Sequence, residues 1–298
     1  MKGLERTAGL LAFVRAAEAG SFSAAARLVG TTPSAVSKNV ERLEKRLGVR
    51  LFLRSTRSLA LTVEGAAYFE RVAPLLQALE DAGDALGDSR NPRGRLRVSL
   101  PGIVAPFLVD ALTRDFVPRY PAIRLEIGVT DRHVDLVREG FDVALRIGPV
   151  SDSDWIVRAL GHLDLILAAA PAHLARAGTP RSIDELGAAA HIRYLLGAQA
   201  YALHFADGRR LMPEGVLDSD SGQAMRIAAL NGAGIVQLLR LALTDDLASG
   251  ALVEVLPEAP LAPVPVQALH AFGRIAPLRV RLFTDFVAAA LEPHLSKR

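Results

Sequence analysis

The chain has 298 residues, half of them hydrophobic, with 35 Lys and Arg against 32 Asp and Glu and no cysteine. This length and apolar content predict two or three compact domains and exclude a peptide, a fibre or a disordered tail. The lack of cysteine excludes disulfides, thiolate metal sites and a cysteine nucleophile, and it suits a reducing compartment.

The net charge of +3 hides an uneven distribution along the chain. Residues 1–62 hold 11 basic and 4 acidic residues (+7), residues 63–90 carry −4, and residues 91–298 are neutral. A basic excess confined to the first fifth of the chain predicts that a polyanion binds there. Because charged residues interrupt the first turns of the chain, no export signal is expected and we predict a cytoplasmic protein.

The first two predicted helices are separated by a glycine. One spans residues 4–18 and ends at Gly20. The next begins at Ser21 or Ser23, since either hydroxyl can accept a hydrogen bond from the free N–H groups of a first turn, and it runs to Gly30.

The third predicted helix has the composition of a helix that enters the major groove of DNA. Thr32 is a typical N-cap, Pro33 suits the first helical position, and Gly48 suits the left-handed residue after the end. The residues expected in the core are Val36, Val40, Leu43 and Leu47, and those expected outside are Ser34, Lys38, Glu41, Arg42 and Lys45. Small hydroxyls and an amine at the exposed end can reach base edges without collision.

Residues 49–61 alternate apolar and basic side chains. The pattern predicts a two-stranded wing with Leu51 and either Phe52 or Leu53 inside, and with the arginines outside, where they meet phosphate or the minor groove. The alternative is a solvated subdomain whose charges only keep it in solution.

Residues 21–65 contain a series of adjacent residue pairs at fixed positions that together form a motif. The pairs are Ala24–Ala25, Pro33–Ser34, Ser37–Lys38, Leu43–Glu44, Leu47–Gly48, Leu51–Phe52 and Leu61–Thr62, with Arg54 and Arg57 between the last two. This segment closely resembles the winged helix-turn-helix of LysR-type transcriptional regulators, and the rest of the chain is similar to that family in length and order of elements.

The resemblance implies that Ser23 holds a phosphate at a helix N-terminus, that the start of the third helix faces bases, and that Arg54 and Arg57 anchor the wing. Lys38 and Asn39 stand where Arg and Gln are commoner in the family. Because lysine lacks the planar fork of arginine, we expect a looser base preference there. The predicted contacts to an inverted repeat in double-stranded DNA are Ser23, Thr32, Pro33, Ser34, Ser37, Lys38, Arg42, Arg54, Thr56 and Arg57.

Residues 63–90 predict one long acidic helix that begins after Thr62. Its apolar positions recur three and four apart, and they are Phe69, Val72, Leu76, Leu79, Gly83 and Leu86. A seam this narrow predicts helix pairing between two chains, and the family resemblance also implies a dimerising linker helix, in a dimer or a tetramer. The alternative is a helix packed on its own domain. Pro74 predicts a kink near Ala73, and residues 88–95 predict a hinge.

From residue 91 onward short apolar runs alternate with helical segments, which predicts mainly parallel α/β sheets. Strands are expected at 96–100, 123–129, 142–147, 163–170, 215–219, 234–239, 252–256 and 264–272, and helices at 102–117, 133–139, 222–230 and 278–291. Two such sets resemble the type 2 periplasmic-binding-protein-like effector domain of the same family. Lobe one is then about 95–161 plus 268–298, and lobe two about 162–267.

Ligands of such sheets lie beyond the carboxyl ends of the strands, where helix N-termini offer N–H groups. The residues predicted to contact an effector are Ser99, Leu100, Pro101, Gly102, Thr130, Arg146, Ile147, Ser219 and Ser221. Converging hydroxyls and N–H groups favour a small carboxylate, and the family's effectors are typically such metabolites. The alternatives are that the serines are ordinary helix caps and that Asp142 or Asp131 pairs with Arg146.

Other function classes lack their motifs in this sequence. There is no G-x-S-x-G, H-E-x-x-H or Walker pattern, and the seven histidines are scattered singly, so no catalytic residue, metal or cofactor is expected. A solute carrier would lack the basic head. The most apolar stretch, residues 227–243, contains Asn231, Gln237 and Arg240, so we interpret it as a buried helix and strand and expect no membrane contact.

Overall fold

The computed structural model describes residues 2–54, 59–86, 92–132, 134–150, 155–197, 199–272 and 276–297. The chain divides into two units, Met1–Gly87 and Asp88–Arg298, so the predicted linker helix belongs to the first unit. None of the helices in the described part of the chain combines the length and the hydropathy needed to cross a bilayer.

The first unit is a helical head with a small hairpin and a long final helix. Its elements are α1 (Lys2–Ala19), α2 (Phe22–Val29), α3 (Pro33–Leu47), β1 (Phe52–Arg54), β2 (Leu59–Leu61) and α4 (Val63–Leu86). Phe13 of α1 lies at the centre, with its ring centroid 5.4 Å from that of Phe52 and 5.6 Å from that of Tyr68. Helix, hairpin and α4 therefore share one core.

The predicted helix ends are confirmed at the residues that carry the capping signals. Ser21 caps α2, with its side chain accepting from the Ala24 N–H, and Gly48 ends α3 in the left-handed conformation at φ 73°. The prediction that Leu47 is buried is wrong, because it is 37% exposed while Glu44 is 5% exposed. Glu44 follows the buried Val40 by one helical turn and takes that place in the core.

Helix α4 runs unbroken through Pro74. The predicted seam is only partly free, because Val72 and Leu76 are buried in the core of their own unit and Phe69 packs against it. This half of α4 follows the alternative of a helix packed on its own domain. Leu75 and Leu79 lie on the outside, 70% and 60% exposed.

The second unit contains two α/β lobes. Its first elements are β3 (Gly94–Leu100), α5 (Ala105–Ala111), a π-helical turn (Leu112–Phe116), α6 (Val117–Arg119), β4 (Ile123–Val129), α7 (Leu136–Glu139), β5 (Val143–Ile147) and β6 (Ile156–Leu163). Then follow β7 (Leu165–Ala169), α8 (Pro171–Ala177), α9 (Ile183–Gly187), β8 (His191–Leu196), β9 (Gln199–Ala200), β10 (Leu203–His204), β11 (Arg210–Leu211), β12 (Gly215–Ser219), α10 (Gly222–Leu230) and β13 (Ile235–Leu239). The chain ends with a 3₁₀ turn (Arg240–Leu243), α11 (Thr244–Ala248), β14 (Val253–Glu254), β15 (Val264–His270), α12 (Leu278–Leu291) and a second 3₁₀ turn (Glu292–His294).

The two main sheets have the orders β4-β3-β5-β15-β6 and β12-β8-β13-β7-β14. The expectation of mainly parallel sheets is wrong, because each of these paths has two parallel and two antiparallel pairings among the described strands. Every antiparallel pairing in the two paths includes β7 or β15. These are the strands by which the chain enters one lobe and returns to the other, so they run against the parallel core.

The helix after β3 begins later than the sequence predicts. Residues 102–104 form a turn in which the Val104 and Ala105 N–H groups donate to the Pro101 carbonyl oxygen. The helix after β4 likewise shrinks to one turn, α7, capped by the Asp135 side chain. Both changes leave longer loops at the carboxyl ends of β3 and β4, where a ligand site is expected.

Candidate functional site

The basic face of the first unit begins at the N-terminus of α2. Ser21 accepts from the Ala24 N–H at 3.0 Å, so Ser21 is the cap and Ser23 lies within the first turn. Ser23 is exposed there, as a hydroxyl held beside the free N–H groups of a helix start. This is a position suited to a phosphate oxygen.

The start of α3 is held by its cap. The Thr32 hydroxyl accepts from the Ala35 N–H at 3.3 Å and lies 3.1 Å from the Ser34 hydroxyl. Thr32, Pro33 and Ser34 are all exposed. The predicted base-reading end of the helix is therefore accessible and has a fixed entry into the helix.

Ser34, Lys38 and Arg42 follow one another at intervals of four along the exposed side of α3. They form a stripe of one hydroxyl and two cations, with the buried Val36 and Val40 on the other side of the helix. Ser37 is half-buried and donates to the Glu41 carboxylate at 3.4 Å, so it is less available than its neighbours.

Glu44 is the residue of this unit that the sequence left without a role. Its Oε1 accepts from the buried N–H groups of Leu51 at 2.7 Å and Phe52 at 3.2 Å. Its Oε2 lies 3.7 Å from Arg50 Nη1. The carboxylate thus ties the end of α3 to the first strand of the wing, and its four-residue spacing from Val40 was the available signal.

The wing is confirmed as an antiparallel hairpin in which Phe52 pairs with Leu61 and Arg54 with Leu59. Leu51 and Phe52 are buried, whereas Leu53 is exposed. The Arg54 side chain and the predicted contacts Thr56 and Arg57 lie outside the described residues.

The second unit contains a pocket of about 150 Å³ between its two lobes. Lobe one contributes the loops after β3, β4 and β5, and lobe two contributes β8, the start of α10 and β13. The lining residues are Pro101, Ile103, Thr130, Asp131, Arg146, Ile147, Gly148, Pro149, Val150, Leu165, Tyr194, Leu196, Tyr201, Gly222, Gln237, Leu238, Leu239 and Val264. The wall is therefore mainly apolar with a few polar groups.

Four of the nine predicted effector contacts line this pocket, namely Pro101, Thr130, Arg146 and Ile147. Ser99 and Leu100 are fully buried behind it. The Gly102 N–H is directed to the Asp131 carboxylate instead.

The two serines of lobe two are engaged at the start of α10, where Ser221 is the N-cap and Ser219 supports it. Ser221 accepts from the Ala224 N–H at 3.4 Å at the start of α10, and Ser219 accepts from the Ser221 N–H at 3.1 Å. Neither residue lines the pocket. This arrangement matches the alternative in which such hydroxyls serve the helix alone.

Arg146 is the buried cation of the pocket, with a 7% exposed side chain. Its Nη1 donates to the Leu145 carbonyl at 2.7 Å, and both Nη1 and Nη2 lie 3.4–3.5 Å from the Ser99 hydroxyl. Burial lowers the pKa of Arg146, and the nearby Asp131 raises it. The guanidinium nevertheless stays charged, because an arginine does not lose its proton in proteins.

No carboxylate of the described residues lies within ion-pair distance, 4.0 Å, of the Arg146 guanidinium. Asp142 is engaged elsewhere, since it accepts from the Arg97 N–H at 2.7 Å and lies 3.5 Å from Arg279 Nη2. Asp131 acts on Arg146 through the field of its charge without an ion pair. A buried, unpaired cation in a cavity wall is the feature expected of an anion site.

Asp131 follows the carboxyl end of β4 and lies between the two lobes. Its carboxylate accepts from the Gly102 N–H at 2.7 Å, and the N–H of Gly222, the first residue of α10, lies near it. Burial raises the pKa of Asp131, and the two N–H donors lower it. A glycine is needed at position 222 for the start of α10 to approach Ile103 of lobe one, because a Cβ there would lie 2.9 Å from the Cβ of Ile103.

Sequence reasoning missed the polar groups of lobe two. Gln237 of β13 is 9% exposed and lines the pocket, and its Nε2 has no hydrogen-bond partner in the part of the chain that the structure describes. Tyr194 of β8 also lines it, and burial raises the pKa of this phenol. A signal existed for Gln237 alone, because it is the one polar residue in the otherwise apolar strand Ile235–Leu239.

Two family models match the chain. The model described as bacterial regulatory helix-turn-helix protein, lysR family, matches residues 8–66. The model described as LysR substrate binding domain matches residues 89–292.

Similar proteins of nearly equal length are regulators by name. HTH-type transcriptional regulator CrgA of Neisseria meningitidis serogroup C is 34% identical over 290 residues, which cover 96% of this chain and 97% of CrgA. The uncharacterized HTH-type transcriptional regulator YhjC of Escherichia coli is 32% identical over 289 residues, with 95% and 97% covered.

Two similar structures are full-length regulators. The structure of CrgA, a LysR-type transcriptional regulator from Neisseria meningitidis, has a TM-score of 0.62 at 34% identity, with 95% of this chain and 98% of that chain covered. The full-length structure of the Vibrio cholerae virulence activator AphB has a TM-score of 0.58 at 26% identity, with 96% and 99% covered.

Proposed function

From the premise that this chain belongs to the LysR family of DNA-binding transcriptional regulators, we propose that an acidic metabolite bound at Arg146 controls its affinity for DNA. The chain has the family's helix-turn-helix and its effector-binding domain.

The observation that carries this proposal is the burial of Arg146 in the wall of the interlobe pocket with no paired carboxylate among the described residues. Burying a cation costs several kcal/mol unless an anion or strong acceptors compensate it. The two neutral oxygens that contact this guanidinium offer only part of that compensation. A carboxylate of the effector would complete it with charge-assisted hydrogen bonds.

The DNA-contacting surface in this proposal is the stripe of Ser34, Lys38 and Arg42 on α3, with Ser23, Thr32 and Pro33 at the adjoining helix starts. These residues are exposed on one unit with a basic excess. Ser37, Arg54, Thr56 and Arg57 remain candidate contacts. Two copies of this surface would read the two halves of an inverted repeat.

Self-association through the outer face of α4 completes the proposal. Leu75 and Leu79 lie one turn apart on this helix, and both are mostly exposed. Their partner is proposed to be the same face of a second copy, in a dimer or a tetramer. We propose the cytoplasm, where DNA and metabolites meet, as the location of this regulator.

Lys38→Ala is expected to weaken operator binding and to reduce its salt dependence. Removing one lysine–phosphate interaction lowers the slope of log affinity against log salt by about 0.9, because fewer counterions are released on binding. Fluorescence anisotropy on a duplex that the wild type selects from random DNA measures both quantities.

Arg124→Ala is the matched control for Lys38→Ala. It removes one positive charge from an 81% exposed side chain of the second unit. Its operator affinity and salt slope should equal those of the wild type. Equal slopes for Lys38→Ala and the wild type would remove Lys38 from the DNA interface.

A further inference from the structure

The interlobe pocket already contains a carboxylate that belongs to the chain. Asp131 accepts from the Gly102 N–H of lobe one at 2.7 Å and lies near the Gly222 N–H of lobe two, so the carboxylate occupies the space between these N–H groups. Gly222 begins α10, and a helix start is where the anion of a ligand would otherwise be received. A ligand carboxylate is therefore directed to Arg146.

A second negative charge on the ligand meets no second cation among the described residues of this pocket. Arg146 is the single cation among the described residues that line it. Asp131 lies on the wall, and the charge of Asp220 acts on it from nearby. At an effective dielectric constant of about 20, two like charges about 8 Å apart repel by roughly 2 kcal/mol.

The rest of the wall accepts an apolar body. The aliphatic side chains on it come from both lobes, and they include Ile103, Ile147, Val150, Leu165, Leu196 and Leu239. The cavity volume is about 150 Å³. An apolar cavity of about this size is large enough for one benzene ring.

A buried polar group of lobe two is available for a hydrogen bond to the ligand. The Gln237 Nε2 donor has no partner among the described residues, and the residue lies on the pocket wall. A carboxylate oxygen or another acceptor on the ligand would satisfy it. Arg146 and Gln237 come from different lobes, so one ligand acid could contact both and join them.

On the basis of the proposed function, we propose that the pocket selects monoacids with one ring-sized apolar body, and that Asp131 is the residue that rejects diacids. The carboxylate of the ligand meets Arg146 and Gln237, and its ring fills the aliphatic wall. The second acid group of a diacid meets Asp131.

Calorimetric titration of the full-length protein with benzoate, acetate, phthalate and 2-carbamoylbenzoate tests this selection. Benzoate should bind at least about tenfold more tightly than acetate, which lacks the ring. Phthalate and 2-carbamoylbenzoate have nearly the same size but differ by one charge. The amide should therefore bind about tenfold more tightly than the diacid.

Asp131→Asn isolates the charge, because asparagine retains a carbonyl oxygen for the Gly102 N–H. This variant should bring the affinities of 2-carbamoylbenzoate and phthalate to within about threefold of each other. Even where this variant fails to fold, the wild-type affinities test whether the pocket selects monoacids with a ring-sized apolar body.

Three results with these four compounds would overturn the inference. The first is equal wild-type affinities for phthalate and 2-carbamoylbenzoate, and the second is equal affinities for acetate and benzoate. The third is no binding of either phthalate or 2-carbamoylbenzoate, because the size of the second substituent would then explain the rejection of the diacid. A wild type that binds succinate at Arg146 but not benzoate would overturn the inference and leave the proposed function standing. The proposed function fails separately if Arg146→Met binds the same acids as the wild type.

Discussion

Arg146→Met is expected to weaken the binding of acids to the interlobe pocket by about 100-fold while folding is retained. Hydrogen bonds to a charged partner contribute roughly 1.5–3 kcal/mol each, and a carboxylate would lose up to two of them. Methionine has a similar length and suits the aliphatic wall. Titration calorimetry with benzoate measures the loss of affinity.

The stability of the same variant separates a ligand-binding arginine from a structural one. Arg146 has no carboxylate within ion-pair distance among the described residues, and the nearby Asp131 carboxylate keeps its Gly102 N–H donor when Arg146 is removed. Replacing a buried charge with an apolar side chain then leaves the free energy of unfolding unchanged or raises it. Thermal unfolding of Arg146→Met and the wild type without added acid measures this difference in stability.

Arg95→Met is the control for Arg146→Met. Arg95 is 42% exposed and pairs with Glu126 at 2.9 Å on the surface of the same unit. A surface pair contributes at most about 1 kcal/mol, so acid binding should be unaffected. An Arg146→Met protein that unfolds at a markedly lower temperature would assign Arg146 to the fold instead of the ligand.

Gly65→Ala is expected to destabilise the first unit by at least about 3 kcal/mol and to abolish operator binding. A Cβ at this position would lie 2.0 Å from the Leu51 carbonyl oxygen, which is backbone and cannot rotate away. That oxygen accepts from the Thr62 N–H at 3.0 Å, and the Gly65 N–H donates to the Thr62 hydroxyl at 2.9 Å. The clash therefore falls on the joint between the wing and α4.

Gly9→Ala is the matched control for Gly65→Ala. A Cβ at Gly9 would lie 3.5 Å from the Asn39 carbonyl oxygen and 3.6 Å from Leu43 Cβ, which is ordinary contact. Alanine in a helix interior is favoured over glycine by about 0.5–1 kcal/mol, so this variant should be as stable as the wild type or more so. A Gly65→Ala protein with wild-type unfolding and operator affinity would contradict the packing described for Leu51.

Local signals predicted the first unit well because its structure depends on neighbouring residues. The Thr32–Pro33 cap and Gly48 each make their contacts within a few residues of the chain. They mark the start and the end of α3 as the sequence predicts. Glu44 was missed because its partners, the Leu51 and Phe52 N–H groups, lie beyond a turn. The four-residue spacing from Val40 placed Glu44 on the core side of α3 but could not show which groups it would meet there.

Contacts between distant segments explain the remaining differences. The direction of β7 and β15 depends on how the chain passes between the lobes, which no local pattern records. Gln237 and Tyr194 reach the pocket only because β13 and β8 pair with each other. The expectation that ligands lie beyond the carboxyl ends of the strands led to Arg146 and Thr130. It could not show that the Asp131 carboxylate would accept from the Gly102 N–H.

The most direct test of effector control through Arg146 is an operator titration with and without an acid that binds the wild type but not Arg146→Met. The operator is the duplex that the wild type selects from random DNA, and anisotropy gives its dissociation constant. We predict that the acid changes this constant at least about fivefold for the wild type, a coupling of about 1 kcal/mol, and leaves it unchanged for Arg146→Met. Identical constants for the wild type with and without the acid would contradict effector control.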